Sequence, residues 1–196
     1  MLSGTHQRIG LTILQALKLR FVVNVSVDDY KFGCIKPDFS LGVFYTPHLK
    51  EKSFDFVIGM IGELGSLPIP TDGKALKSFS TRLGVIMHFL ADFFCYAHNH
   101  GKDDPLPLHF AYEAGVHIAS HKVSLDDMAQ EFLAELHAAH TFTVEALREF
   151  LENLHQRYLA APQSMKTDLW FAIAAGVSTA HFVLDACQSK VVEQAA

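Results

Sequence analysis

Cysteine is scarce: three residues in 196. Cys34, Cys95 and Cys187 are too few and too scattered for a disulfide framework. They read as small buried apolar residues of a reducing compartment. Runs of Lys or Arg are missing too, and the net charge is −5 with His neutral. Both remove the electrostatic footprint expected of a protein that binds duplex nucleic acid or an anionic membrane. The start, MLSGTHQRIGLTILQALKLRF, has no basic n-region, and His6, Arg8, Gln15 and Lys18 interrupt its apolar residues. It therefore does not read as a signal peptide. The most apolar late stretch, WFAIAAGVSTAHFVL, is too short to span a bilayer and carries His181. The expectation is a soluble cytoplasmic protein with no stable membrane anchor.

Period-two alternation of any length is also missing, which argues against strands. What is present is a 49% hydrophobic, 19% charged composition, suited to one globular domain over residues 1–196. Apolar spacing predicts helices over residues 5–21, 52–65, 76–99 and 108–120. Ser124, followed by Leu-Asp-Asp, supplies an N-cap with acids in the first turn of a helix reaching residue 158, unless it bends near residues 140–143. A last helix covers 164–190. Two irregular loops, residues 26–50 and 65–74, carry Gly, Pro and Asp punctuation, and Pro105 and Pro107 break the chain before residue 108. The fold class is all-α, a single-domain bundle of helices.

Histidine is the unusual entry in the composition: 12 residues, against 16 Lys and Arg together. The segment HFLADFFCYAHNH, residues 88–100, sets His88, Asp92, His98 and His100 among Phe, Leu, Cys and Tyr. A buried carboxylate is normally paired or bound to a metal. His88 and Asp92 are i,i+4 and share a helix face. On one continuous helix His98 would lie roughly 15 Å beyond His88 and be rotated by roughly 80°. His109 and Glu113, again i,i+4, can close on His98 to give two imidazoles and one carboxylate, a ligand set known from catalytic zinc. His100 and His117 read as partners that orient ligands, and His121 as solvated. His137, His140, His155 and His181 read as structural or exposed. Phe93, Phe94, Phe132 and Phe150 read as core.

The spacing H88-x3-D92-x5-H98-N99, closed by H109-x3-E113, resembles the signature of the zinc-dependent phospholipase C family, which is akin to the single-strand-specific zinc nucleases. Two upstream elements add to it: His6 in GTHQRIG, and the Pro-Asp of GCIKPDF followed by His48. The resemblance covers roughly the first 115 residues. It implies two or three zinc ions: one held by Asp38, His48, His88 and Asp92, a second by His98, His109 and Glu113. A third would take His6, the other oxygen of Asp92, and the amine and carbonyl of Met1. A reference amine pKa of about 7.7–8.0 makes loss of the Met1 proton easy.

The activity so implied is hydrolysis of a phosphodiester, with Asp38 orienting or deprotonating the attacking water. Zinc ions would neutralise phosphoryl oxygens and acidify that water. The substrate would be a phospholipid headgroup, or a nucleotide or single strand if the chain follows the nuclease branch. Phe39, Phe44 and Tyr45 could line an apolar or cation–π pocket for it. A metal-binding helical module without turnover is the remaining alternative.

Overall fold

A computed structural model describes residues 1–18, 21, 24–39, 46–71, 73–136 and 143–195. Nine α-helices, and no strand, are found among the described residues. They are α1 (Ser3–Lys18), α2 (Val27–Gly33), α3 (Lys36–Phe39), α4 (Lys50–Gly65), α5 (Gly73–Phe93), α6 (Leu106–Ser120), α7 (Leu125–Leu136), α8 (Val144–Ala160) and α9 (Met165–Ala195). A 3-10 turn, Tyr96–His98, stands between α5 and α6.

Helix α9 is the central element, packed against α1, α4, α5, α6, α7 and α8. Such a position requires apolar residues all round rather than along one stripe. Leu169, Ile173, Ala175, Val177, Val183 and Leu184 are accordingly at most 1% exposed. This helix is long and apolar enough to cross a membrane by length and composition, but 78% of its most apolar window is buried by the other helices. Ile9, Ile13 and Leu17 of α1, and Leu83, Ile86, Phe89, Leu90 and Phe93 of α5, complete the core at helical spacing.

Four expectations change. Residues 26–39, read as loop, hold α2 and α3. Helix α2 packs on α5 through Gly33 and Gly84, where a Cβ on Gly33 would meet the Thr81 carbonyl and one on Gly84 the Tyr30 carbonyl, both at 2.2 Å. Only glycine permits that approach, and seven residues with two acids at the start show little periodicity of their own. The helix read over 76–99 ends at Phe93. Pro107 lies inside the first turn of α6, where its missing N–H costs nothing. The helix read from 125 to 158, with a bend allowed near residues 140–143, is two helices: Thr143, at the end of that segment, caps α8 by accepting from the Ala146 amide at 3.2 Å. Ser124 caps α7 as expected, accepting from the Asp127 amide at 3.2 Å. His137, His140, Phe44 and Tyr45 lie outside the described residues.

Candidate metal centre

Helix α5 carries His88 and Asp92 to the centre of the molecule, both fully buried. The close Gly33–Gly84 approach leaves the Cys34 carbonyl, at the end of α2, 2.9 Å from His88 Nδ1. With Nδ1 donating to that carbonyl, His88 Nε2 is turned inward and is the nitrogen left to act as a ligand. It stands 3.3 Å from Asp92 Oδ2 and 3.6 Å from Asp38 Oδ1.

Beyond Phe93 the chain folds back. The Asn99 side-chain amide donates to the Phe93 and Cys95 carbonyls, at 3.1 and 2.8 Å, and so satisfies acceptors at the end of α5. The Tyr96 amide donates to the Asp168 carboxylate at 3.0 Å. His98 is therefore not a rung far along α5: its Nε2 comes within 3.3 Å of Asp92 Oδ1. From α6, His109 Nε2 reaches Glu113 Oε1 at 3.1 Å, and His98 Nε2 meets the same oxygen at 3.2 Å.

Helix α1 supplies the remaining donors. The His6 ring stacks on His88, centroids 3.9 Å apart, with Nε2 3.3 Å from Asp92 Oδ1. Thr5 and Arg8 tie α1 to α6 through His117 Nδ1, at 3.1 Å, and the Ser120 carbonyl, at 3.1 Å. The Met1 amine contacts Asp92 Oδ1, and lies 3.0 Å from Glu113 Oε1 and 3.2 Å from His98 Nε2. His48 Nδ1 is 2.9 Å from Asp92 Oδ2 and 4.0 Å from Asp38 Oδ1. Asp92 thus shows one oxygen to His6, His98 and the amine, and the other to His48 and His88.

All nine expected residues are brought together; the side-chain donors of eight form three groups, His6, His88 and Asp92; Asp38, His48 and His88; and His98, His109 and Glu113, and the Met1 amine stands beside Asp92, His98 and Glu113. Within each group the atoms lie within 4.8 Å of one another. Both ring nitrogens of His6, His88 Nε2 and Asp92 Oδ2 are buried without a hydrogen-bond partner. Buried polar atoms are nearly always satisfied. Orphans converging in imidazole-carboxylate groups fit a borderline-soft divalent cation such as zinc.

Charge in this cluster is strongly coupled. Burial alone would raise the Asp92 carboxyl, but His98, the Met1 ammonium and His6 hold it well below the usual carboxylate range. Burial likewise opposes ionisation of Glu113, yet the His98 hydrogen bond and the ammonium pull it to about 2. Burial beside His88 pushes His6 down to about 3, which keeps it neutral as a ligand must be. For the Met1 amine burial acts downward, but Asp92, with Cys95 and Glu113, outweighs it and raises the pKa to about 11. Without a metal, its proton is therefore held more tightly than the reference value implies. The ammonium neutralises the same carboxylates that a cation would.

A cavity of about 330 Å³ opens onto the cluster, lined by Met1, Leu2, Asp38, Phe39, His48, His98, His109, Phe110 and Glu113. A larger, more apolar one of about 450 Å³ lies between α3, α4 and α5 and contains none of the donors. The donors line the smaller.

Several supporting groups lie beyond the reach of sequence reasoning. Asp168, fully buried in α9, accepts from the Tyr96 amide, from Tyr112 Oη at 2.9 Å and from Tyr158 Oη at 2.9 Å. It joins the turn carrying His98 to the helix carrying His109 and Glu113. His155, read as structural or exposed, is buried and bonds Asn99 Oδ1 at 2.9 Å, which holds the amide that ends α5. His117 is half-buried against Thr5, whereas His100 and His121 are exposed. No local signal marked Asp168: it reads as an ordinary acid in a helix's first turn.

The fold and site together define an all-α protein with a buried cluster of imidazole and carboxylate donors that could hold metal ions. Residues 5–165 match the family described as zinc dependent phospholipase C, and the chain belongs to that family. Searches of curated proteins and of solved structures returned no match.

Proposed function

We propose that the chain is a zinc-dependent phosphodiester hydrolase, a phospholipase C acting on a phospholipid headgroup. The observation that carries this reading is Asp92, whose two oxygens face separate donor groups inside an apolar core. Asp38, His48, His88 and Asp92 would hold one ion, and His98, His109 and Glu113 a second. His6, Asp92 and the Met1 amine and carbonyl would hold a third. Zinc bound there supplies Lewis-acid charge to a phosphoryl oxygen and acidifies water.

The chain's own contribution is placement. Asp38 stands at the cavity with its carboxylate partly open to solvent, and Ser3 Oγ donates to its Oδ2 at 3.1 Å. Oδ1 faces His88 Nε2 and His48 Nδ1, at 3.6 and 4.0 Å, on the side where the first ion would sit, so Oδ2 would be the oxygen to orient the attacking water and take its proton. Water adds a hydroxyl to phosphorus, the phosphorus–oxygen bond to the leaving alcohol breaks, and the products are a phosphomonoester and an alcohol. Phe39 and Phe110, 66% and 55% exposed at the cavity mouth, offer ring faces to a quaternary ammonium.

The same ring faces suit a stacked base, which supports a single-strand nuclease or nucleotide phosphatase as the second reading. Metal analysis of the purified protein, with parallel assays on phosphatidylcholine, single-stranded DNA and bis-p-nitrophenyl phosphate, separates the readings. Hydrolysis of phosphatidylcholine supports the first and preferential cleavage of DNA the second. Stoichiometric zinc without turnover of any of the three would leave a metal-binding module.

A further inference from the structure

Helix α6 is apolar beyond what its packing needs. Its inward side is Glu113, Val116 and Ser120. Its outward side presents Leu106, Pro107, Phe110, Ala111, Ala114 and Ile118, with Leu106 69%, Phe110 55% and Ile118 56% exposed. At about 100° per residue these six lie within an arc of roughly 140°, which the half-buried His117 shares. Glu113 is the one Asp, Glu, Lys or Arg in the helix, and it is turned into the donor cluster. An exposed helix face without a charge is uncommon on a soluble protein and marks an interaction surface.

Two features say what covers it. The face runs into the mouth of the candidate site, since Phe110 lines both and Phe39 and Leu2 extend the apolar rim. A phospholipid surface presents phosphodiesters and apolar chains at that same adjacency. The charges flanking the helix carry no positive excess: Lys102 and Lys122 stand against Asp103 and Asp104, all exposed, and Lys102 is already paired to Glu51 at 3.2 Å. In a chain of net charge −5 such a border gives no attraction to an anionic bilayer. It matches an interface of zero net charge.

We infer that the outward face of α6 is a docking surface for a zwitterionic lipid interface, by which the protein reversibly adsorbs with the site mouth against the headgroups. The inference rests on the phosphodiester-hydrolase reading and adds that the substrate is met at a surface.

The test is flotation with phosphatidylcholine and phosphatidylglycerol vesicles, with light scattering in their absence, for the zinc-loaded protein and the double variant Leu106→Asp/Ile118→Asp. Both replaced side chains are exposed and neither lines the cavity, so the melting temperature should hold. The native protein should float with phosphatidylcholine, without added affinity for phosphatidylglycerol. The variant should partition at least about tenfold more weakly and lose turnover on vesicles, while cleaving bis-p-nitrophenyl phosphate at the native rate. Native protein that cleaves the soluble ester but does not float overturns the docking surface and leaves the hydrolase. Flotation with no turnover of any ester keeps the surface and overturns the hydrolase. A concentration-dependent dimer that the double variant abolishes assigns the face to a second copy and overturns the proposal.

Discussion

Removal of the Asp168 carboxylate is the sharpest test of how the cluster is held. One buried side chain accepts from three segments: the Tyr96 amide in the turn of His98, Tyr112 beside Glu113, and Tyr158 of α8. Burial pushes its carboxyl up, while the three donors favour the anion. Asp168→Ala would strand the part-buried Tyr96 N–H and the buried Tyr158 hydroxyl, at about 1–3 kcal/mol each, while water can reach the half-buried Tyr112. Relief of the buried charge offsets part of this, for a net loss of about 2–4 kcal/mol. In a chain of this size that lowers the melting temperature by roughly 5–15 °C. Asp168→Asn keeps one acceptor oxygen but turns an amide donor toward other donors, so roughly half the loss is expected. The informative readout is metal. Because Asp168 positions His98 through Tyr96 and Glu113 through Tyr112, Asp168→Asn should weaken the His98, His109 and Glu113 site about 10- to 100-fold. It should also shift the cobalt(II) spectrum of that site. Native affinity and an unshifted spectrum in a destabilised variant would refute the positioning role.

Asp92→Asn should retain helix content but lose more than one metal, because both oxygens face donor groups; full zinc content by metal analysis would dismiss the shared carboxylate. Chelation with verified zinc removal should lower the melting temperature, since the ligands come from separated segments; an unchanged curve argues that metal adds nothing to the fold. Residues appended before Met1 should cost one ion. In the native chain, with the amine near 11, zinc held there must displace a proton, so its affinity should rise about tenfold per pH unit from pH 7 to 9; equal stoichiometry in the extended protein excludes the amine as a ligand. His155 gives the acid limb: burial, aided by Lys50, lowers it to about 4, below the unfolded value of about 6.5. The unfolded chain then takes up the proton first, so this contribution is complete above pH 6.5 and is lost as pH falls toward 4. Chelated His155→Gln should show a flatter fall in melting temperature than chelated native protein across that window; parallel curves would discount the group.

By itself the sequence determined what depends on near neighbours. Helical spacing in α1, α4 and α9 was legible because the period of a buried face is written within each segment. The pairs His88–Asp92 and His109–Glu113 were legible because i,i+4 places side chains together whatever the helix packs against. The family resemblance supplied His6, Asp38 and His48. Only the tertiary structure decided the rest. Phe93 ends α5 because Asn99, held by His155, and Asp168, more than 70 residues away, bind the backbone there. That single break moves His98 from a distant rung into contact with Asp92 and Glu113. Helix α2 formed where punctuation read as loop because Gly33 and Gly84 permit backbone contact between helices. The sequence allowed a bend near residues 140–143 but not a second helix start, and Thr143, at the end of that segment, is the residue that caps α8. Local spacing fixes which side chains share a face; how faces meet, and which buried acid holds them, follows from packing between segments that no window of sequence contains.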